Sequence, residues 1–307
     1  MLLRHARSLL FLPASNARAI TKARSLPCDM VILDLEDAVP DEAKADARAG
    51  AVAALAEGFG GRITGVRINV EGTPWHGMEM VAMKGASADY VVLPKVENAK
   101  QVRDVFSVAQ KPVIAMIESA KGVLAAPSIA AGEGCAALFI GVNDLRRDLG
   151  IPAGAGREGL TLAMQTVVLA ARAAGIAVFD GVYNRLDDLD GLAAECVAGH
   201  HLGFDGKTLI HPAQVAVANE VFGPDAQALA DARRLIEAAT GTRTEGGGEG
   251  PDGAVRGADD RDDACRGGAR SGGAGGRGGG VRLSRHTLCR DAGLRTMLAS
   301  SAALRSK

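Results

Sequence analysis

The chain has 307 residues, 47% of them hydrophobic and 23% charged, with a formal net charge of −1. That is enough sequence for one large domain with a substantial core, and an ordinary composition for a soluble globular protein. A near-neutral charge and 3% aromatic content argue against a nucleic-acid surface, which needs basic patches and stacking rings, and against an anionic membrane as partner.

At the amino terminus Arg4, His5 and Arg7 precede the apolar run Ser8–Leu12, which stops at Pro13. The run is shorter than the roughly 7–15 residues of a secretory apolar region, and nothing later approaches the roughly 18 apolar residues of a membrane span. Five scattered cysteines, Cys28, Cys135, Cys196, Cys265 and Cys289, form no CxxC pair and no metal-ligand spacing. They read as small buried hydrophobes in a reducing compartment, so a cytoplasmic location is expected.

In chain order, short apolar runs predict strands at Ser8–Ala14, Met30–Asp37, Gly65–Asn69 and Asp89–Val96, then at Pro112–Ser119, Ala136–Asp144, Ala177–Asn184 and Phe204–Pro212. Such runs suit strands buried on both faces of a parallel sheet. Helix-favouring segments separate them. Asp41–Ala56 is rich in Ala, Glu, Lys and Arg and follows Pro40, and Arg157–Ala174 ends at Gly175, a plausible helix stop. Eight strands alternating with helices, in a chain of this length, favour a closed (β/α)₈ TIM barrel over an open sheet. The pattern stops near residue 240. Residues 241–280 hold 16 of the 40 glycines, interleaved with Arg, Asp and Ala. The expected organisation is therefore a barrel domain over 1–240 and a disordered low-complexity tail over 241–307.

Polar residues gather at the carboxyl ends of the predicted strands: Glu36 and Asp37, Arg67 and Asn69, Lys95 and Glu97, Glu118, Asn143 and Asp144, Asn184, His211. In a barrel those ends form the catalytic face. Glu118 and Asp144 stand one strand–helix–strand unit apart and are expected at the same rim. Two carboxylates side by side repel unless a cation joins them or one takes a proton, and Mg²⁺ typically takes one or two carboxylates. Helix caps or salt-bridge partners are the alternative. Arg67, costly to bury without an anion, could clamp a substrate oxygen through its planar fork or pair with Glu36 or Asp37. Lys95 and Lys207 are weaker candidates for Schiff-base chemistry, with a hydrogen-bonding or CoA-facing role at least as plausible for Lys207. His211 could titrate near neutrality, and His200 and His201 have no evident partner. No GxGxxG or GxxxxGK[ST] occurs.

The ordered segments RSLLFLPASN, VILDLEDAVP, VRIN, VVLPKVE, AMIESAKGV, FIGVNDL, FDGVYN and GFDGKTLIHPAQV together resemble the citrate lyase β-subunit-like branch of the HpcH/HpaI aldolase/citrate lyase family, over about residues 8–237. The resemblance implies a TIM barrel, assembly as a homotrimer or hexamer, and Mg²⁺ held by Glu118 and Asp144. It implies substrate binding by Arg67 and Glu118, with Glu36 and Asp37 beside Arg67 and the metal waters. The implied activity is carbon–carbon lysis of a 3-hydroxyacyl-CoA of the citryl-, malyl-, methylmalyl- or citramalyl-CoA type into acetyl-CoA or a homologue plus an α-keto acid. A thioester hydrolase on the same scaffold, or a catalytically weak subunit of a larger lyase, are the alternatives. The family's lid carries an Asp-Gly-x-Met-like motif, whereas here Asp252-Gly253 is followed by Ala254-Val255.

Overall fold

The structure, a computed structural model, describes residues 2–152, 154–224 and 226–241. Its centre is a closed barrel of eight parallel strands in sequential order, with the last strand pairing the first. The strands are β1 (Ser8–Pro13), β2 (Met30–Asp34), β3 (Ile63–Arg67), β4 (Tyr90–Leu93), β5 (Val113–Ile117), β6 (Cys135–Ile140), β7 (Ala177–Asp180) and β8 (Gly206–Leu209). All eight expected strands are present, so the TIM-barrel expectation holds.

The connecting helices are α1 (Ala17–Ala23), α2 (Lys44–Glu57), α3 (His76–Gly85), α4 (Ala99–Ala109), α5 (Ala120–Ala130), α6 (Val142–Asp148), α7 (Thr161–Ala174), α8 (Leu189–Leu202) and α9 (Gln214–Val221). Local sequence fixes several of their ends. A 3₁₀ turn over Asp41–Ala43 follows Pro40 and leads into α2. Asn98 and Gln101 form a reciprocal capping box at the start of α4. Gly175 takes φ 74° and closes α7, as its position in the sequence predicts.

Period-two alternation divides the apolar residues between two cores. Leu9, Met30, Ile32, Ile114, Phe139 and Phe179 fill the barrel interior. Leu10, Val31, Leu33, Val66, Ile117 and Val178 belong to the larger core shared with the helices. Both faces of most strands are therefore apolar along most of their length, which is why they read as hydrophobic runs, whereas β8 carries Lys207 and Thr208.

All eight strands stop short of the expected carboxyl limit. β2 ends at Asp34, β7 at Asp180 and β8 at Leu209. Side chains there take over from the ladder: Asp34 accepts hydrogen bonds from the Glu36 and Ala38 backbone N–H groups and turns the chain. The largest difference concerns Asp144. β6 stops at Ile140, and Asp144 stands in the first turn of α6 rather than at a strand end.

A second compact unit starts at Pro224. Its described part is the helix α10 (Ala226–Gly241). The expected low-complexity tail beyond Gly241, with Cys265, Cys289 and Asp252-Gly253, lies outside the described residues. Among the described residues no helix is long and apolar enough to cross a membrane.

Candidate active site

At the carboxyl rim the barrel opens into a cavity of about 390 Å³, within the range of small-molecule sites. Its floor is Phe11, Met116 and Phe139, and its polar wall includes Asp34, Asp37, Arg67, Glu118, Asp144 and Asn184. The alternation that buries Ile114 and Met116 inside the barrel also aims Glu118, two residues on, at the mouth.

The two motifs that carry the acids are built for close approach. In the segment ESAKG, Ser119 caps α5 by accepting the Gly122 N–H at 3.0 Å. A Cβ at Gly122 would lie 2.6 Å from the Val96 carbonyl oxygen, so only glycine lets α5 begin there. In GVND a Cβ at Gly141 would lie 2.4 Å from Glu118 Oε2. The β6–α6 turn therefore passes directly over the Glu118 carboxylate and delivers Asp144 to the same cavity wall.

Arg67 is fixed by register. Asp34 and Arg67 are paired positions on β2 and β3, and Asp34 accepts from Arg67 Nε at 2.7 Å and Nη2 at 2.5 Å, a bidentate fork. Arg67 Nη1 lies 2.9 Å from Glu36 Oε2 and 3.7 Å from Asp37 Oδ2. The Glu36 contact is an ion pair without hydrogen-bond geometry, which leaves Glu36 Oε2 buried and unsatisfied. Burial pulls the Arg67 pKa down, but the Asp34 hydrogen bonds and the surrounding acids outweigh it and raise the net value. The guanidinium also lies over the Phe11 ring, 5.3 Å from its centroid.

Negative charge is in excess. Burial, then the Glu36 and Asp144 charges, push the Glu118 carboxyl up to about 7, against partial relief from the Lys95 N–H bond and Arg67. Burial also raises Glu36, against the opposing charges of Arg67 and Lys95. Lys95 joins the cluster: its backbone N–H donates to Glu118 Oε1 at 2.7 Å, while its Nζ lies 3.3 Å from Glu36 Oε1 and 4.0 Å from Asp144 Oδ2. Asp144 also accepts from the exposed Arg147 at 2.6 Å.

These groups fit a hard divalent cation. The available donors are carboxylate oxygens, and one of them, Glu118, is pushed toward its neutral form by burial first and by the neighbouring acids second. Among the described residues no three His, Cys, Asp or Glu side chains are gathered into a ready-made cage. Mg²⁺ takes one or two carboxylates and leaves its other positions to water and substrate, and Glu118 and Asp144 on one cavity wall offer two.

The structure brings together Arg67, Glu118, Asp144, Glu36 and Asp37 as the sequence pattern predicts. It excludes others. Lys207 does not face a CoA ligand. Its ammonium is fully buried and bonded to Asp180, Glu195 and the Gly181 carbonyl, so it is no Schiff-base nucleophile either. For Lys95, burial lowers the pKa but Glu36 and Asp37 outweigh it, opposite to the depressed pKa that Schiff-base chemistry needs. Asn69 turns away to bond Leu35 and Glu79. Glu97 pairs with Lys121 and accepts from Ser119. His211 accepts the Ala213 N–H, and His200 stacks on Phe222. Asp34, the anchor of Arg67, escaped the sequence analysis because it sits within an apolar run. Its signal was available: it stands in the period-two phase of Met30 and Ile32, which face the barrel interior.

A closed parallel barrel whose carboxyl rim collects acids around one guanidinium is a (β/α)₈ enzyme scaffold with its site at the standard face. The HpcH/HpaI aldolase/citrate lyase family matches residues 7–212, and the chain belongs to that family. It is 42% identical over 234 residues to a (3S)-malyl-CoA thioesterase of Cereibacter sphaeroides, covering 76% of this chain and 82% of the relative. It is 33% identical over 257 residues to the citrate lyase subunit beta of Escherichia coli K12, covering 79% and 85%. The citrate lyase beta subunit of Mycobacterium tuberculosis complexed with oxaloacetate and magnesium superposes with a TM-score of 0.66 at 35% identity, over 73% of this chain and all of that one.

Proposed function

We propose that the protein is a Mg²⁺-dependent carbon–carbon lyase that cleaves a 3-hydroxyacyl-CoA into acetyl-CoA or a homologue and an α-keto acid. The observation that carries this reading is the excess of carboxylates over cations around a single oriented guanidinium, in a cavity of small-molecule size. Family membership and the magnesium and oxaloacetate of the solved mycobacterial relative support it.

In this reading Glu118 and Asp144 hold Mg²⁺, and Arg67 and Glu118 bind substrate. When bound, Mg²⁺ would act as a Lewis acid that lowers the pKa of a hydroxyl and polarises a forming carbonyl. The chain's own part is orientation and charge. Asp34 locks Arg67 through its Nε and Nη2 atoms, so the guanidinium meets ligand without rearranging. Loss of the C3 hydroxyl proton sends its electron pair into the new keto group. The C2–C3 bond then breaks, and its pair becomes the thioester enolate. Arg67 stabilises that enolate oxygen, and protonation at C2 releases the acyl-CoA. Phe11, Met116 and Phe139 give the site an apolar lining. Glu36 and Asp37 steady the outer edge of Arg67 and the metal waters.

The 42% identity to malyl-CoA thioesterases favours one second reading, hydrolysis of the thioester with the hydroxy acid left intact. Incubating the purified protein with Mg²⁺ and a panel of citryl-, malyl-, methylmalyl- and citramalyl-CoA separates the two. Acetyl-CoA or a homologue with a keto acid supports the lyase, free CoA with an intact hydroxy acid supports the hydrolase, and no turnover on any ester defeats both. A homotrimeric or hexameric assembly, or a place in a larger lyase complex, and a cytoplasmic location belong to the same reading. Native mass spectrometry tests the assembly.

A further inference from the structure

Lys95 has a φ of 52°, a left-handed conformation that a residue with a long side chain adopts at a cost and that glycine or asparagine would take more easily. The conformation does two things at once. It presents the Lys95 N–H to Glu118 Oε1 at 2.7 Å, and it folds the side chain back over the rim. There Nζ lies 3.3 Å from Glu36 Oε1 and 4.0 Å from Asp144 Oδ2. A strained backbone that persists only when its surroundings fix it is a reason to look for a role. The role in view is electrostatic, because Lys95 is the cation that reaches across from Glu36 to the helix that carries Asp144.

We propose that Lys95 is a tethered counter-cation, which neutralises the acid cluster while the metal is away and competes with the incoming divalent ion for Asp144 and Glu36. The inference rests on the metal site proposed above. With the ammonium in place the apo carboxylates are partly paired, so the folded site tolerates its own negative charge without metal. An entering Mg²⁺ must displace that ammonium or accept a like charge a few ångströms away. Lys95 therefore weakens metal binding, keeps exchange rapid, and ties occupancy of the site to the arrival of an anionic substrate that adds negative charge of its own.

The test is calorimetric titration of EDTA-treated full-length protein with MgCl₂, without any CoA ester. For Lys95→Met the Mg²⁺ dissociation constant falls about tenfold, the size of a like-charge contact in a half-exposed, near-water setting. Lys95→Arg, which keeps the charge, stays within about threefold of wild type by the same argument. Lys95→Gly relaxes the backbone and removes the charge, so it binds as tightly as Lys95→Met and stands in for it if that variant folds poorly. An unchanged or larger dissociation constant in Lys95→Met and Lys95→Gly, with normal binding by wild type, overturns the inference and leaves the metal site intact. Absence of Mg²⁺ binding in wild type and every variant sinks the metal site and the inference with it.

Discussion

Two ion pairs of this barrel have nearly the same origin and opposite fates. Asp34 faces Arg67 in the register of β2 and β3, and Asp180 faces Lys207 in the register of β7 and β8. Each is a carboxylate at the end of one strand, opposite a cation on the next. The difference is one residue of phase. Asp34 and Arg67 continue the alternation of Met30, Ile32 and Ile63 and point into the barrel mouth, whereas Asp180 follows Phe179 and points out toward the helices. The outward pair is closed and balanced: Arg157 and Lys207 meet Asp180 and Glu195. Burial pushes Asp180 up, but Lys207 and Arg157 hold its carboxyl below the usual range. The inward pair is open. Glu36, Asp37, Glu118 and Asp144 crowd around Arg67 and Lys95, and Glu118 is driven up to about 7. A balanced buried cluster is architecture, and an unbalanced one at a cavity is a site that expects a cation.

Substitutions should separate the two clusters cleanly. The largest effect is on activity: Asp144→Ala lowers kcat by about a thousandfold or more, since the metal's charge stabilisation is worth several kcal/mol. Its melting temperature in EDTA stays level or rises, because a member of the crowded set is gone. Kinetics and thermal unfolding of one preparation read both, and unchanged kinetics would remove Asp144 from the site. Lys207→Met does the reverse. Leaving Asp180 buried with less compensation costs about 3–5 kcal/mol of stability, read by denaturant unfolding, while the Mg²⁺ dissociation constant of the folded fraction holds.

Next in size is a pH effect. The folded protein binds the Glu118 proton more tightly than the unfolded chain does, with a carboxyl at about 7 against an ordinary 4.5. Metal-free stability is therefore undiminished by this group below about pH 4.5 and declines as pH rises to about 7, by about 3 kcal/mol in all. Unfolding free energies in EDTA across that window should fall, and Glu118→Gln should flatten the slope. A wild-type curve that rises steadily from pH 4.5 to 7 would contradict a raised Glu118 carboxyl. Smallest is Arg67→Lys, which keeps the charge and loses the fork to Asp34. A loss of about thirtyfold in kcat/KM is expected, somewhat below the removal of a whole oxyanion donor. A variant within twofold of wild type would mean that Arg67 is only structural.

Much of this was legible in the residues themselves. Eight apolar runs between alanine-rich segments announced the barrel, because strands buried on both faces must be apolar throughout. Carboxylates at the ends of those runs announced the rim, and a glycine beside each acid motif made the backbone approach possible. The chain could not reveal on its own which charges would meet. Lys207 and Lys95 look alike as lysines near strand ends, yet one is sealed behind β8 and the other leans over the mouth. Asp34 hid inside an apolar run, and Asp144 proved to ride on α6. Local sequence determines period, propensity and turn chemistry, and through them the elements. The side of the sheet on which each ion pair falls, and hence whether its charge is balanced or left for a metal, depends on register between strands 27 to 33 residues apart, which only the closed barrel decides.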